Sequence, residues 1–292
     1  MKGDAMTKLL YLECTSGISG DMCAAALLDA GASEEAVRRA LESLPVKGFA
    51  VEISRVKKSG LDVCDFSVVL DAAHENHDHD MAYLHGHGGA SEHGHGHDHD
   101  RDHGRAHDHD HAHGAPGGHH HRGPAEIAQI IDGAAMTDGA KAIAHRMFGF
   151  VADAEARAHG VPVGEVHFHE VGAVDSIADI IAIAVAADDL APDGVVVSDL
   201  PCGYGTVRCQ HGLIPVPAPA TAFIAEAAGL TLSPVDVEGE LVTPTGAAAA
   251  AALRTEAALP ERFSIKAIGM GAGKRAYDTP GILRAMIIEP AE

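Results

Sequence analysis

The run His167–Glu170, with the sequence HFHE, concentrates side chains that can bind a metal ion or move a proton. In an extended chain alternate residues face the same side, so His167 and His169 would form a chelating pair. Asp175 and Asp179 follow four residues apart on a predicted helix and share one face of it. The pattern predicts a site for one divalent cation or a set of acid–base groups. A capping Asp175, a solvated Asp179 and a packed histidine pair would explain it equally well.

A second concentration of ligands is more conspicuous, because 17 of the 22 histidines lie between His74 and His121. Neutral imidazole suits nickel, zinc, copper and cobalt. The runs HGHGHDHD and HDHDHAH alternate imidazoles with small or acidic residues. The predicted ligands within them are His95, His97, His99, His107, His109, His111 and His113. The tract predicts a high metal capacity with low selectivity; a solvated, pH-responsive linker is the alternative.

Two glycine-containing loops are candidates for binding an anionic ligand or cofactor. The first joins a predicted strand to a predicted helix, and the second opens an alanine-rich helix, so both could present backbone N–H groups to a phosphate or carboxylate. The candidate binding residues are Gly17, Ser19, Gly20, Asp21, Thr243, Thr245 and Gly246. Neither loop has the GK[ST] ending of a P-loop. Tight turns and an ordinary capped helix start are the alternatives.

The elements that must position these groups alternate between strands and helices. A short strand at Leu9–Leu12 leads into a helix, and the segments FAVEISRVKK and LDVCDFSVVL predict a β-hairpin. We therefore expect an α/β fold, a layered sheet with flanking helices. Residues 1–70 form its N-terminal strand–helix–hairpin part and residues 124–292 the remainder. Residues 71–123 contain almost no apolar side chains and are predicted to be a long disordered His-rich insertion.

Composition excludes several classes of function. The net charge is −21 with histidine neutral, which argues against binding nucleic acid or an anionic membrane surface. No apolar stretch reaches the length of a membrane span, and the N-terminus does not resemble a signal peptide. The five cysteines include no CxxC pair, so we expect reduced thiols and a cytoplasmic protein. The oligomeric state stays open.

Several long segments together resemble the LarC nickel-insertion family. They occur in the expected order: YLECTSGISGDM, EISRVKKSG, the His-rich insertion, GVPVGEVHFHEVGAVDSIADI, CQHGLIPVPAPAT, EGELVTPTGAA and IGMGAGKR. The resemblance implies a nickel chelatase, or cyclometallase, of the lyase class. It inserts Ni²⁺ into pyridinium-3,5-bisthiocarboxylic acid mononucleotide, forms nickel–sulfur and nickel–carbon bonds, and consumes CTP. The product is the nickel-pincer cofactor of lactate-racemase-type apo-enzymes.

The resemblance also implies which parts act together. The His tract would supply nickel, and the candidates for the transfer site are His167, His169, Glu170 and Asp175. Longer members carry a C-terminal domain that binds CTP with a divalent metal. Because this sequence ends at Glu292, we expect the N-terminal part alone, with CTP bound by a separate domain or polypeptide. The alternative is a non-catalytic metallochaperone or store for nickel, zinc or cobalt.

Overall fold

A mixed sheet with helices packed on it organises the molecule. The computed structural model describes residues 7–70, 122–166, 168, 174–209 and 212–291. The strands are β1 (Leu9–Glu13), β2 (Phe49–Lys58), β3 (Leu61–Leu70), β4 (Gly194–Val197), β5 (Leu200–Tyr204), β6 (Thr206–Cys209), β7 (Gly212–Pro215), β8 (Leu232–Glu238), β9 (Phe263–Ala272) and β10 (Ile282–Pro290). The α-helices are α1 (Gly20–Asp29), α2 (Glu34–Glu42), α3 (Pro124–Gly133), α4 (Asp138–His159), α5 (Val174–Leu190), α6 (Pro219–Ala228) and α7 (Pro244–Leu253).

Six strands form the main sheet in the order β2-β3-β9-β10-β1-β4. β1 lies between β10, with which it is antiparallel, and β4, with which it is parallel. β5 with β8 and β6 with β7 make two further two-stranded sheets. The α/β prediction and the hairpin of β2 and β3 are therefore confirmed. The predicted disordered insertion lies almost wholly outside the described residues.

Helix α1 lies so close to strand β9 that only glycine fits beneath it. A Cβ atom on Gly271 would overlap the backbone of Met22, and one on Gly269 would overlap the backbone of Ala26. The glycines before Lys274 therefore allow a helix to pack on a strand. Helices α1, α5 and α7 are almost entirely buried, which explains their continuous runs of alanine and isoleucine.

Polar side chains cap the starts of α2 and α4, where Ser33 and Thr137 precede the helical patterns in the sequence. The Ser33 hydroxyl accepts a hydrogen bond from the Ala36 amide at 3.2 Å, and Thr137 accepts one from the Ala140 amide at 3.0 Å. A cap of this kind typically contributes about 1 kcal/mol to stability. Within the part of the chain that the structure describes, no helix is long and apolar enough to cross a membrane.

One stretch differs from its prediction. The pattern of VVVSDLPCGYG, apolar residues that end in glycines, predicts a single strand, but the segment is divided into β4 and β5, which belong to different sheets. Ser198 marks the division, because its hydroxyl accepts a hydrogen bond from the Cys14 amide at 2.8 Å and its own amide bonds to Leu12. The chain therefore leaves the main sheet there. The short strands β6, β7 and β8 were not predicted, since proline and glycine interrupt their patterns.

Candidate functional site

One cleft collects most of the described polar groups that the sequence singles out. The first turns of α1, α5 and α7 line it, together with the loop from Gly273 to Gly281 between β9 and β10. The cleft encloses about 150 Å³. Helix N-termini carry partial positive charge and N–H groups without intrahelical partners. The backbone thus makes this a place where anionic groups are stabilised.

Three aspartates, which we name the acidic cluster, share this cleft: Asp21 from α1, and Asp175 and Asp179 from α5. Asp21 is only 9% exposed. Its Oδ1 atom accepts hydrogen bonds from the Ser19 hydroxyl and, at 2.8 Å, from the Met22 amide. Its Oδ2 atom is buried without a hydrogen-bond partner among the described residues. Burying a carboxylate oxygen in this way is costly unless a ligand completes its bonding.

The acidic cluster changes the chemistry of Asp179. Burial, followed by the charges of Asp21 and Asp175, raises the pKa of the Asp179 carboxyl well above its ordinary value, and Lys274 only partly opposes this. Each additional negative charge nearby disfavours ionisation of a buried acid. Asp179 therefore keeps its proton to higher pH than an exposed aspartate, which is typical of a functional site.

Close packing holds the acidic cluster together. A Cβ atom on Gly20 would overlap the Asp179 carboxylate and lie 2.8 Å from the Asp179 Cβ. Only a glycine at the start of α1 lets α5 approach this closely. The predicted role of Gly20 in ligand binding stays a prediction, but the structure assigns it this packing role.

Three cations, which we name the basic set, also line the cleft: Arg208, Lys274 and Arg275. Lys274 forms an ion pair with Asp65, and Arg275 forms one with Glu240, whose side chain is 6% exposed. Buried pairs of this kind fix geometry more than they stabilise the fold. Two of the three cations are thus held by carboxylates outside the acidic cluster.

The two predicted anion-binding loops meet along their backbones. The Ile18 amide donates to the Leu241 carbonyl at 2.9 Å, and the Thr243 amide donates to the Ile18 carbonyl at 3.2 Å. Gly17 has φ +110°, and a side chain there would overlap Leu241; one on Gly246 would overlap Ile18. These two glycines join the loops, whereas the other five candidates, Ser19, Gly20, Asp21, Thr243 and Thr245, line the cleft.

The structure places the remaining candidates as follows. Asp175 lines the cleft, while His167, His169, Glu170 and the seven histidines of the tract lie outside the described residues. Over the described ranges alone, no three His, Cys, Asp or Glu side chains are grouped so that they could hold a metal ion. The predicted metal site therefore stays a prediction.

Some cleft residues were not singled out from the sequence. Glu240 lies within the quoted segment EGELVTPTGAA without being recognised as a site residue, and Tyr277 and Thr279 line the cleft from a loop with no recognisable motif. The Thr279 hydroxyl oxygen is buried with no hydrogen-bond partner among the described residues. Knowledge of the fold was needed to find these residues, because they lie more than 200 positions from Asp21 in the sequence.

The cysteines beside the first loop are unsuited to binding a soft metal. No disulfide joins any of the five cysteines. Cys14 and Cys23 are fully buried. Burial raises the pKa of the Cys14 thiol to about 12 and raises that of Cys23 as well. Both thiols stay protonated at neutral pH and pack as small apolar groups.

Comparison with known proteins identifies the family. A family model described as "Nickel insertion protein" matches residues 10–292. The chain belongs to the nickel insertion protein family. Its resemblance to that family, first noted from the sequence, is confirmed over nearly the whole chain.

Relatives within the nickel insertion family carry a more specific name. Proteins from Alkaliphilus metalliredigens (strain QYMF) and Geobacillus kaustophilus (strain HTA426) are both named "Pyridinium-3,5-bisthiocarboxylic acid mononucleotide nickel insertion protein". They are 47% and 37% identical to this chain, each over 97% of it. The matches cover 61% and 60% of the two relatives, so the chain spans about three fifths of their length. No solved structure matches the chain significantly.

Proposed function

We propose that this chain inserts Ni²⁺ into pyridinium-3,5-bisthiocarboxylic acid mononucleotide, forming the nickel-pincer cofactor of lactate-racemase-type enzymes. The observation that carries the proposal is the cleft. It joins buried carboxylates, cations and three helix N-termini in one place. The relatives' names supply the choice of substrate. The cleft suits this substrate because the substrate carries both anionic and cationic groups.

The cleft offers a partner for each end of such a substrate. Arg208 and the N-terminus of α7, which is capped by Thr243, are suited to the phosphate. The thiocarboxylate sulfurs are soft donors for nickel. Asp175 directly follows the segment that carries His167, His169 and Glu170, so in this proposal those side chains deliver or hold the incoming nickel.

Formation of the nickel–carbon bond requires a proton acceptor. The electron pair of the ring carbon–hydrogen bond becomes the nickel–carbon bond, and the proton leaves to a base. In this proposal the base is an ionised carboxylate of the cleft, and the charge on nickel falls as its new ligands bind. No external oxidant or reductant is needed for this step.

CTP completes the proposal as a co-substrate. Its site, with a divalent metal, is assigned to a separate domain or polypeptide, and the product is passed to the apo-enzyme that uses it. We place the reaction in the cytoplasm. The His-rich segment acts as a nickel reservoir that raises the local metal concentration.

The deciding experiment is a test for the nickel adduct. The purified chain, loaded with Ni²⁺, is incubated with the bisthiocarboxylate mononucleotide and CTP, and the products are analysed by mass spectrometry. Adduct from the chain alone supports insertion and places the CTP requirement within this chain. Adduct formed only with a CTP-binding partner supports insertion by two polypeptides. No adduct under either condition refutes the proposal.

A matched pair of variants tests the site. The double variant His167→Ala/His169→Ala should lose adduct formation while keeping the parent's circular dichroism spectrum. The control is His145→Ala, which removes a histidine that contacts Asp132 on α3 and does not line the cleft. Normal adduct formation by the double variant would show that these histidines do not act in insertion.

A nickel store is the second candidate function, because 17 histidines lie in one tract. Deleting residues 74–121 separates the two functions. An insertion protein given free Ni²⁺ should keep most of its turnover after the deletion. A store should lose most of its bound nickel and its function together, as measured by equilibrium dialysis and by nickel delivery to the apo-enzyme.

A further inference from the structure

Asp21 has one carboxylate oxygen whose bonding is incomplete within the described part of the chain. Its Oδ1 atom is held in place, because it accepts hydrogen bonds from the Ser19 hydroxyl and from the Met22 amide. Its Oδ2 atom is buried and accepts none among the described residues, although the whole residue is only 9% exposed. A carboxylate oxygen can only accept hydrogen bonds, so a ligand that completes this bonding must donate one.

The Thr279 hydroxyl gives the cleft a second buried oxygen in the same condition. It has no hydrogen-bond partner over the ranges that the structure describes. Thr279 lies in the loop between β9 and β10, whereas Asp21 lies on α1, and both residues line the cleft. A hydroxyl can donate as well as accept a hydrogen bond. Two such oxygens on separate elements suit a ligand that carries two hydroxyl groups.

Among the chemical groups of the proposed substrate, only the ribose supplies hydrogen-bond donors. The phosphate and the two thiocarboxylates are anionic acceptors at neutral pH, and the pyridinium ring has no N–H or O–H bond. The ribose has two neighbouring hydroxyls, each of which can donate to a carboxylate. Dinucleotide-binding enzymes use the same pairing, in which an acidic side chain accepts a hydrogen bond from a ribose hydroxyl near the bound phosphates.

The N-termini of α1 and α7 lie side by side, so the positions of phosphate and sugar adjoin. Thr243 caps α7, and its amide donates to the Ile18 carbonyl at 3.2 Å. A Cβ atom on Gly246 would lie 3.0 Å from the Ser19 Cα. Asp21 follows two residues after Ser19, in the first turn of α1. A phosphate at the start of α7 would therefore have its sugar beside Asp21.

We propose that Asp21, together with Thr279, binds the ribose hydroxyls of the mononucleotide and so selects ribose over deoxyribose. This inference rests on the proposed function, which supplies the mononucleotide as substrate. It adds the sugar-binding residues and an orientation, with the sugar at the start of α1 and the phosphate at the start of α7. CTP also carries a ribose, so the experiment must distinguish the two sources of this group.

Probes that differ by a single hydroxyl test the proposal. Nicotinic acid mononucleotide has the ribose, the phosphate and a pyridinium ring with one carboxylate, and its 2′-deoxy and 3′-deoxy forms each lack one sugar hydroxyl. All three are titrated into the full chain by isothermal calorimetry at pH 7.5 with EDTA present. We expect the ribose form to bind at least about tenfold more tightly than one of the deoxy forms, which corresponds to about 1.4 kcal/mol. A hydrogen bond to an ionised carboxylate is strong enough for this difference.

Variants assign that preference to Asp21. Asp21→Asn should reduce it to less than about threefold, because an amide oxygen is an uncharged acceptor. The deoxy forms should bind this variant no more weakly than the parent, since a negative charge near an anionic ligand is removed. Thr279→Val should also lower the preference and provides a second route if Asp21→Asn fails to fold. Asp153→Asn is the matched control, because it removes the same charge from an exposed position on α4 that does not line the cleft.

The outcomes separate this inference from the proposed function. Equal binding of the ribose and deoxy forms, together with normal nickel adduct formation, overturns the inference and leaves the proposed function standing. A preference for ribose that depends on Asp21, without any adduct, upholds the sugar site and removes nickel insertion. If CTP is preferred over its 2′-deoxy form while the mononucleotides show no preference, the site belongs to CTP and the inference is overturned. Failure of every probe to bind overturns it, as does a preference that survives both Asp21→Asn and Thr279→Val.

Discussion

Substitution of Gly20 by alanine tests the close packing that builds the acidic cluster. In the middle of a helix this change usually stabilises a protein by up to about 1 kcal/mol, since alanine restricts the unfolded chain and favours helix. Here the new methyl group would overlap the Asp179 carboxylate. We therefore expect the opposite sign, a loss of stability.

The size of this stability loss follows from the distances between the added methyl group and the Asp179 atoms. The added Cβ would lie 2.7 Å from Cγ and 2.8 Å from Cβ of Asp179. Carbon atoms normally pack at about 3.5–4.0 Å, so both of these carbon–carbon distances are too short by about 1 Å. Rotating the carboxylate does not move the Asp179 Cβ, so α5 itself must shift. Such overpacking costs about 1–3 kcal/mol, and after the helix gain we expect a net loss of about 1–2 kcal/mol.

Gly149→Ala is the matched control, because Gly149 lies inside α4 and a Cβ there meets no atom within 4 Å. It should gain up to about 1 kcal/mol. Urea unfolding followed by circular dichroism gives both values. In an Asp179→Ala background the loss caused by Gly20→Ala should shrink by at least about 0.5 kcal/mol. Equal or greater stability of Gly20→Ala, or no coupling to Asp179, would refute the packing argument.

Three further predictions address charge and burial. Asp179→Asn should raise the melting temperature more at pH 8 than at pH 4. The pKa of Asp179 is higher in the folded than in the unfolded protein, so its ionisation increasingly destabilises the fold as pH rises above the unfolded-state pKa of about 3.9. An equal gain in melting temperature at both pH values would contradict this. Arg275→Met should cost about 3–5 kcal/mol by leaving the buried Glu240 carboxylate unpaired, whereas the exposed Arg39→Ala should cost less than about 1 kcal/mol in the same urea assay. The Cys14 thiol should react with iodoacetamide only as fast as the protein unfolds, and rapid labelling of the native protein, detected by peptide mass spectrometry, would show that it is accessible.

The elements predicted from the sequence are those set by nearby residues. Ser33 and Thr137 mark helix starts by local hydrogen bonds, and Ser59-Gly60 marks a hairpin turn, since both take positive φ. The pairing of β1 with β10 joins Leu12 to Ala285 and has no local signal. The division at Ser198 was missed for the same reason, because the Cys14 amide that bonds to it is distant in the sequence.

The site shows the same limit. The sequence predicts that Asp175 and Asp179 share a helix face, and it separately predicts a polar loop containing Asp21. Their meeting depends on how closely α1 approaches α5, which Gly20 permits and no spacing rule reveals. The ion pair between Glu240 and Arg275 likewise joins two loops that only the fold brings together.

Stability and function should move in opposite directions at the acidic cluster, and this separates a structural role from a functional one. Burial and the charges of Asp21 and Asp175 disfavour ionisation of Asp179 in the folded protein, so replacing Asp179 with asparagine should stabilise the protein at neutral pH. If the cluster only supported the fold, the same replacement would weaken it. An Asp179→Asn variant that is more stable yet no longer supports nickel adduct formation would show that the fold tolerates the repulsion for the sake of function.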